Sequence, residues 1–182
     1  ANHRQLDMPV AIKMMRHDLA MEPEFIEGFR KEARTIAGFN HQNIVKIYDI
    51  EERYRTVFII MEYLVGQPLR KVLDLAGRMP ALKAARYLIQ ICRGLGYAHS
   101  RQIVHQDINP ANIFILPNDD VKIVDFGLAC PCGTETIMSG TPFYMAPEQV
   151  ECLHIDTRTD IYSLGLMAYE MVTGARPFAE TD

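Results

Sequence analysis

Asn112 and Asp125 flank a segment that must bring them together. Ile113-Phe114-Ile115-Leu116, the turn Pro117-Asn118-Asp119-Asp120 and Val121-Lys122-Ile123-Val124 read as a β-hairpin, two apolar runs around a cluster of turn residues. A hairpin sets its two ends side by side, so an Asn amide oxygen and an Asp carboxylate converge. Both are hard oxygen ligands of the kind Mg²⁺ takes, with water and phosphate oxygens completing its shell. Asp107 stands five residues before Asn112, placed to accept or orient a hydroxyl proton near the same metal. That is a layout for phosphoryl transfer, which asks for positioning and charge stabilisation and little covalent work.

The elements around this hairpin follow from the apolar pattern. Pro9-Val10-Ala11-Ile12-Lys13-Met14-Met15 is a short apolar run carrying one Lys and reads as a strand. After Pro23, apolar residues recur at Phe25, Phe29, Ala33 and Ile36, a helical spacing with Glu32 beside it. Residues 44–50 and 56–63 read as two further strands, parted by a charged turn at Glu51-Glu52-Arg53. Gly66-Gln67-Pro68 marks a break between lobes. Beyond it, Leu82, Ala85, Ile89, Cys92 and Gly96 form one helical stripe, with Leu88, Ile91, Leu95 and Ala98 beside it. So broad a stripe predicts a helix buried on more than one side, with Cys92 as a small core residue. Residues 160–173 form another apolar helix, stopped by Gly174.

Composition narrows the class. With 182 residues, 48% apolar and 23% charged, and a net charge of −4, the chain is globular and not intrinsically disordered. No apolar run approaches the ~18 residues of a membrane span, so no membrane contact is expected of this segment. Its N-terminal residues lack the apolar core of a signal peptide. The mildly acidic balance leaves no electrostatic footprint for nucleic acid. Cys130 and Cys132 form a C-x-C pair, but no second pair completes a zinc site. They read as reduced thiols of a cytosolic protein, either a redox pair or ordinary loop residues.

Five motifs, in order along nearly the whole chain, resemble the eukaryotic-type (Hanks-type) protein serine/threonine kinase family. Val10-Ala11-Ile12-Lys13 is similar to its strand-lysine motif, and Asp107 and Asn112 stand at its catalytic-loop positions. Asp125-Phe126-Gly127 matches the metal-binding triplet and Ala146-Pro147-Glu148 the close of the activation segment. Gly140-Thr141-Pro142-Phe143-Tyr144-Met145 is the fifth, and it resembles the serine/threonine branch. The short loops are in keeping with a bacterial member. The resemblance implies an α+β, two-lobed protein-kinase-like fold. A small β-rich N-lobe with the hinge would span residues 1–65, and a larger, mainly helical C-lobe residues 66–182.

The resemblance also implies ATP and Mg²⁺ as cofactors and a protein Ser/Thr hydroxyl as acceptor. Lys13 would contact the α- and β-phosphates and pair with Glu32. Ala11 and Phe114 would belong to the adenine site, with the backbone of Glu62 and Leu64 on the base edge and Met61 as gatekeeper. The alternative for Met61-Glu62-Tyr63 is a plain strand end. Asn112 and Asp125 would hold metal, Asp107 would orient the substrate hydroxyl, and Thr141 would bond Asp107. Ile36, Ile47, His105 and Phe126 match an apolar spine anchored by Asp160, or else are simple core.

Departures from the pattern carry information too. Gln106 replaces the Arg that reads an activation-segment phosphate, a charge-assisted pairing a neutral amide cannot make. Regulation by that route is not expected, and Thr134, Thr136 and Ser139 read as phosphorylation sites or as polar loop residues. Asn109 replaces the Lys that stabilises charge on the transferred group, so Asn109→Lys is expected to raise turnover. No Gly-rich loop precedes Val10 and several family helices do not follow, so the chain reads as a fragment incomplete at both ends. Two rivals stand beside the kinase reading: a pseudokinase acting as a nucleotide-binding or scaffold module, and a small-molecule phosphotransferase. Location is expected to be cytoplasmic, alone or as the cytosolic domain of a membrane-anchored protein; substrate and oligomeric state are open.

Overall fold

A computed structural model describes residues 1–3, 7–14, 37–53, 56–126, 129–134 and 140–178. The helix expected after Pro23, with Glu32 and Ile36, lies outside the described residues, as do Gly127, Thr136 and Ser139.

The fold is α+β. Strands β1 (Asn2–His3), β2 (Met8–Met14), β3 (Ile47–Arg53) and β4 (Thr56–Glu62) form an antiparallel sheet in the order β1-β2-β4-β3. The register pairs Ala11 with Met61 and Lys13 with Ile59. Two expectations shift here. Glu51, Glu52 and Arg53 are not a turn but the end of β3, opposite Phe58, Val57 and Thr56. β3 is an edge strand, where charged side chains reach water and discourage pairing with another sheet. Ile44 and Val45 do not join β3 either. The Val45 N–H donates to Ile123 O at 2.9 Å and Ile123 N–H to Asn43 O at 2.8 Å, so this stretch serves the hairpin strand instead.

β5 (Gln67–Pro68) pairs with Ile115 and Phe114 and begins the helical part. Gly66 before it has φ +157°, and a Cβ there would lie 2.1 Å from Ile115 O, so only glycine lets the chain pass. Helix α1 spans Leu69–Ala76 and α2 Ala81–His99; β6 is Ile103–Val104. The expected hairpin forms as β7 (Ile113–Ile115) and β8 (Val121–Ile123), and β9 (Cys130–Pro131) pairs with β6. A 3₁₀ turn at Pro142–Tyr144 and the short α3 (Pro147–Val150) lead to α4 (Thr157–Thr173). α4 starts three residues before the expected Asp160 because the Asp156 carboxylate accepts the Arg158 N–H and caps it. Gly174, at φ +78°, ends it as expected.

One apolar core runs through both parts, joining Ile44, Ile47 and Ile59 to Leu95, Ile123, Phe126, Met167 and Met171. α2 faces it with Ala84, Tyr87, Ile91, Leu95 and Ala98. The stripe Leu82, Ala85, Ile89, Cys92, Gly96 is exposed along its whole length, so α2 is buried on one side and Cys92 is not a core residue. All four cysteines are free thiols. Among the described residues, no helix is long and apolar enough to cross a membrane.

Candidate active site

The hairpin does what its sequence requires. Val124 N–H donates to Asn112 O at 2.9 Å, which sets Asp125 beside the strand start. Asp125 sits at φ +60°, a left-handed conformation that Asp tolerates better than most residues. Its Oδ1 accepts from Lys13 Nζ at 2.8 Å, tying the hairpin to β2 across 112 residues of sequence. Both side chains stay partly open to solvent.

These two residues close one end of a cavity of about 380 Å³ whose other walls are Ala11, Ile12, Val45, Ile47, Met61 and Val124. An apolar slot ending in a cation and a carboxylate suits a ligand with a flat apolar body and an anionic tail. Of the expected nucleotide contacts, Ala11, Lys13 and Met61 line the slot, while Glu62, Leu64 and Phe114 lie outside its lining. The Glu62 N–H is taken by Lys46 O at 2.9 Å, and its carboxylate by Lys122 Nζ at 2.8 Å. Phe114 pairs with Pro68 and Lys122 across its sheet. Val45 and Val124 were missed from sequence; their only signal was being apolar neighbours of a strand.

Asp107 is held from two sides. Oδ1 accepts from the Thr141 N–H at 2.9 Å and its hydroxyl at 2.8 Å, and Oδ2 accepts from Asn112 Nδ2 at 2.8 Å. With Nδ2 turned onto Asp107, Asn112 has Oδ1 left to face a cation. Among the described residues no group of three His, Cys, Asp or Glu gathers for a metal. An Asn–Asp pair fits an ion whose remaining ligands are phosphate oxygens and water. Gly140, at φ +123°, lets Thr141 approach: a Cβ there would stand 3.4 Å from Gln106 O and 3.7 Å from Asp107 Oδ1.

Asn109 is 3% exposed and fully engaged. Its Nδ2 donates to Asp107 O at 3.1 Å and Thr141 Oγ1 at 3.0 Å, and its Oδ1 accepts the Ala111 N–H at 2.8 Å. The amide thus steers the Thr141 hydroxyl proton toward Asp107.

Beneath the loop lies Asp160, fully buried. Oδ2 accepts the His105 N–H at 2.9 Å and meets His99 Nε2 at 2.7 Å, while Oδ1 accepts the Gln106 N–H at 2.9 Å. His105 Nδ1 accepts the Asp107 N–H at 3.2 Å, so its proton belongs on Nε2, 3.3 Å from Val124 O. The His105 and Phe126 rings pack at 4.4 Å, and Phe39 meets Phe126 edge-on at 5.7 Å. Gln149, also fully buried, donates to Gln106 O at 2.8 Å.

A second buried anion, Glu170, ties the segment after Thr141 to α1 and α4. It accepts from Arg70 Nη1 at 2.7 Å and from the Tyr144 hydroxyl, with Arg176 Nε at 3.7 Å. Its signal in the sequence was a carboxylate inside an apolar helix. Burial, and then the Glu170 carboxylate, push the Tyr144 phenol up to about 12. An unfolded tyrosine titrates near ~10, so the folded form holds its proton more tightly. The resulting stability is present below about pH 10 and lost as pH rises toward 12. The melting-temperature gap between wild type and Tyr144→Phe is therefore expected to narrow over that window; parallel curves would contradict it.

The fold and this geometry define a protein kinase domain: the family profile of that description matches residues 1–182, and the chain belongs to that family. It is 40% identical over 96% of its length to serine/threonine-protein kinase PknA of Mycobacterium tuberculosis. It is 38% identical over 96% to PknB of Mycobacterium leprae, and 38% over 95% to a probable serine/threonine-protein kinase of Clostridium acetobutylicum. The chain spans 43%, 30% and 27% of those three proteins.

Proposed function

We propose that the protein is an ATP-dependent protein serine/threonine kinase. The observation that carries this reading is Asp107, clamped between Thr141 and Asn112, next to a slot ending in the Lys13–Asp125 pair. The names of the relatives support the same activity. Adenine occupies the slot against Ala11 and Met61, with the backbone of Glu62 and Leu64 and the Phe114 ring as its further neighbours. Lys13 holds the α- and β-phosphates, supported by Glu32. Asn112 and Asp125 hold a divalent ion, Mg²⁺, which neutralises phosphate oxygens when bound. Asp107 orients the Ser or Thr hydroxyl and takes its proton as the oxygen attacks the γ-phosphorus and the bond to ADP breaks. An ATP-using domain works where ATP is, so we place it in the cytoplasm, as a free enzyme or as part of a larger protein. Residues 1–65 and 66–182 act as the two lobes.

Asn109 is part of the apparatus in this reading. Lysine at this position has no acceptor for the Ala111 N–H, and its longer side chain carries its donor past the place of Nδ2, so the gain expected of Asn109→Lys from sequence gives way to the opposite expectation. In transfer from γ-labelled ATP to a generic protein substrate, wild type is active, and choline or an aminoglycoside does not replace the protein. Asn109→Ala lowers kcat about tenfold, the worth of one positioning hydrogen bond, with the KM for ATP little changed; Asn109→Lys does not exceed wild type. The buried, uncharged Asn109 favours a second reading, a nucleotide-binding pseudokinase. ATP-dependent thermal stabilisation without any transfer would select that one.

A further inference from the structure

A cavity of about 590 Å³, larger than the nucleotide slot, lies against the outer face of α2. Two residues of the stripe that the sequence had assigned to the core, Leu82 and Ile89, line it. Leu82 is 68% exposed and Ile89 53%, large apolar side chains that no other described element covers. Between and beyond them on the same face stand Arg86 and Arg93, both exposed. The spacing 82, 86, 89, 93 keeps the four side chains in one row along the helix.

In the cavity, three cations of the lining, Lys83, Arg86 and Arg93, face two anions, Asp119 and Asp120. Its acidic wall is the β7–β8 turn. There the Asp119 carboxylate is held by the Tyr87 hydroxyl and by Lys83 Nζ at 3.3 Å, and Asp120 by Asn118 Nδ2 at 2.6 Å. Arg86 and Arg93 make no hydrogen bond or close ion pair among the described residues, although the Arg86 charge acts on Asp119 from farther off. Neither guanidinium is held by a described anion, and each stands beside an exposed apolar side chain.

We propose that this face docks an extended, acidic–apolar segment of a partner protein. At 1.5 Å per residue, Arg86, Ile89 and Arg93 lie roughly 6, 10 and 16 Å along the axis from Leu82. A peptide in the polyproline II conformation advances about 3.1 Å per residue with three residues per turn, so its matching positions are 0, 2, 3 and 5, with 0 and 3 on one edge and 2 and 5 on the next: apolar, acidic, apolar, acidic. The order apolar–x–acidic–apolar–x–acidic, or its reverse, meets the whole row.

Two other occupants fit less well. A second copy of this chain, paired α2 to α2 about a two-fold axis, would gather four arginines in one interface and, with the rows overlapping, set Leu82 against Arg93 and Ile89 against Arg86. An anionic membrane would meet the exposed arginines, but a flat surface cannot enter the concavity. The docking face is independent of the reading of the active site, since none of its residues lines the nucleotide slot.

The test is fluorescence-anisotropy titration of the protein with labelled peptides carrying Leu-Ser-Glu-Leu-Ser-Glu or its reverse. Saturable binding is expected for at least one of them, falling as salt rises. Arg86→Glu with Arg93→Glu is expected to weaken it at least tenfold through like-charge contact, and Ile89→Ser about fivefold through lost burial. All three positions are exposed, so melting temperatures should stay near wild type. The proposal is overturned by no saturable binding, or by equal binding of a peptide with Gln for Glu. It is also overturned if the arginine variants bind undiminished, if phosphatidylserine vesicles bind where the peptides do not, or if a dimer is dispersed by the same variants.

Discussion

Asp107→Asn is expected to lower kcat for phosphoryl transfer about a thousandfold while leaving ATP binding within about twofold of wild type. The two halves of that expectation have separate origins. Asp107 does not line the slot that holds Lys13 and Asp125, so the nucleotide loses no contact. Its carboxylate accepts three hydrogen bonds, two from Thr141 and one from Asn112. The Thr141 N–H is fixed backbone and keeps the one remaining oxygen of the variant. The new NH₂ then faces the Asn112 NH₂, donor against donor, and no basic oxygen is left for a substrate hydroxyl. Transfer from γ-labelled ATP gives kcat, and nucleotide-induced thermal shift reports binding. Transfer at the wild-type rate would remove Asp107 from the mechanism. Loss of the shift would mean that the loop and the slot are coupled.

The second large effect concerns stability. Asp160→Asn is expected to destabilise the fold by about 3 kcal/mol, from a buried N–H left facing an amide NH₂ and a weakened charge-assisted bond to His99. For a chain of this size that lowers Tm by about 6 to 12 °C. Asp160 has no exposure and its two oxygens serve three donors, at His99, His105 and Gln106; an amide offers one acceptor in their place. Because two of those donors are the backbone next to Asp107, kcat should fall as well, about a hundredfold for a misplaced reacting group. Calorimetry at neutral pH decides it, and an unchanged Tm would show that the carboxylate is not the anchor of the loop.

Much of this was legible before any coordinates. The hairpin was, because two apolar runs around Pro117-Asn118-Asp119-Asp120 have one good way to fold, and its closure joins Asn112 to Asp125. The strand with Lys13 was legible for a similar reason, and the pairing of β2 with β4 sets Ala11 against Met61. Val45 and Val124 were not, since apolar residues beside a strand look the same whether they line a cavity or fill a core. Glu51-Glu52-Arg53 misled because charge resembles a turn unless the strand is known to be an edge. Asn109 misled more deeply. As a residue type it is a lysine lost, whereas in place it makes three hydrogen bonds that hold Thr141 and the loop backbone.

What the sequence by itself determined is the set of candidate site groups and the order of the elements that carry them. Local pattern is enough for that: spacing decides what a hairpin or a helix face brings together. Tertiary structure alone decided which face is inside. α2 carries two apolar stripes of the same period, and periodicity is blind to the choice between them. Packing against α4 and β8 chose Ile91, Leu95 and Ala98, leaving Leu82 and Ile89 exposed beside Arg86 and Arg93. The clamp on Asp107 was decided the same way, by a contact between residues 34 apart. Such a contact depends on where two segments come to rest, and no local pattern encodes it.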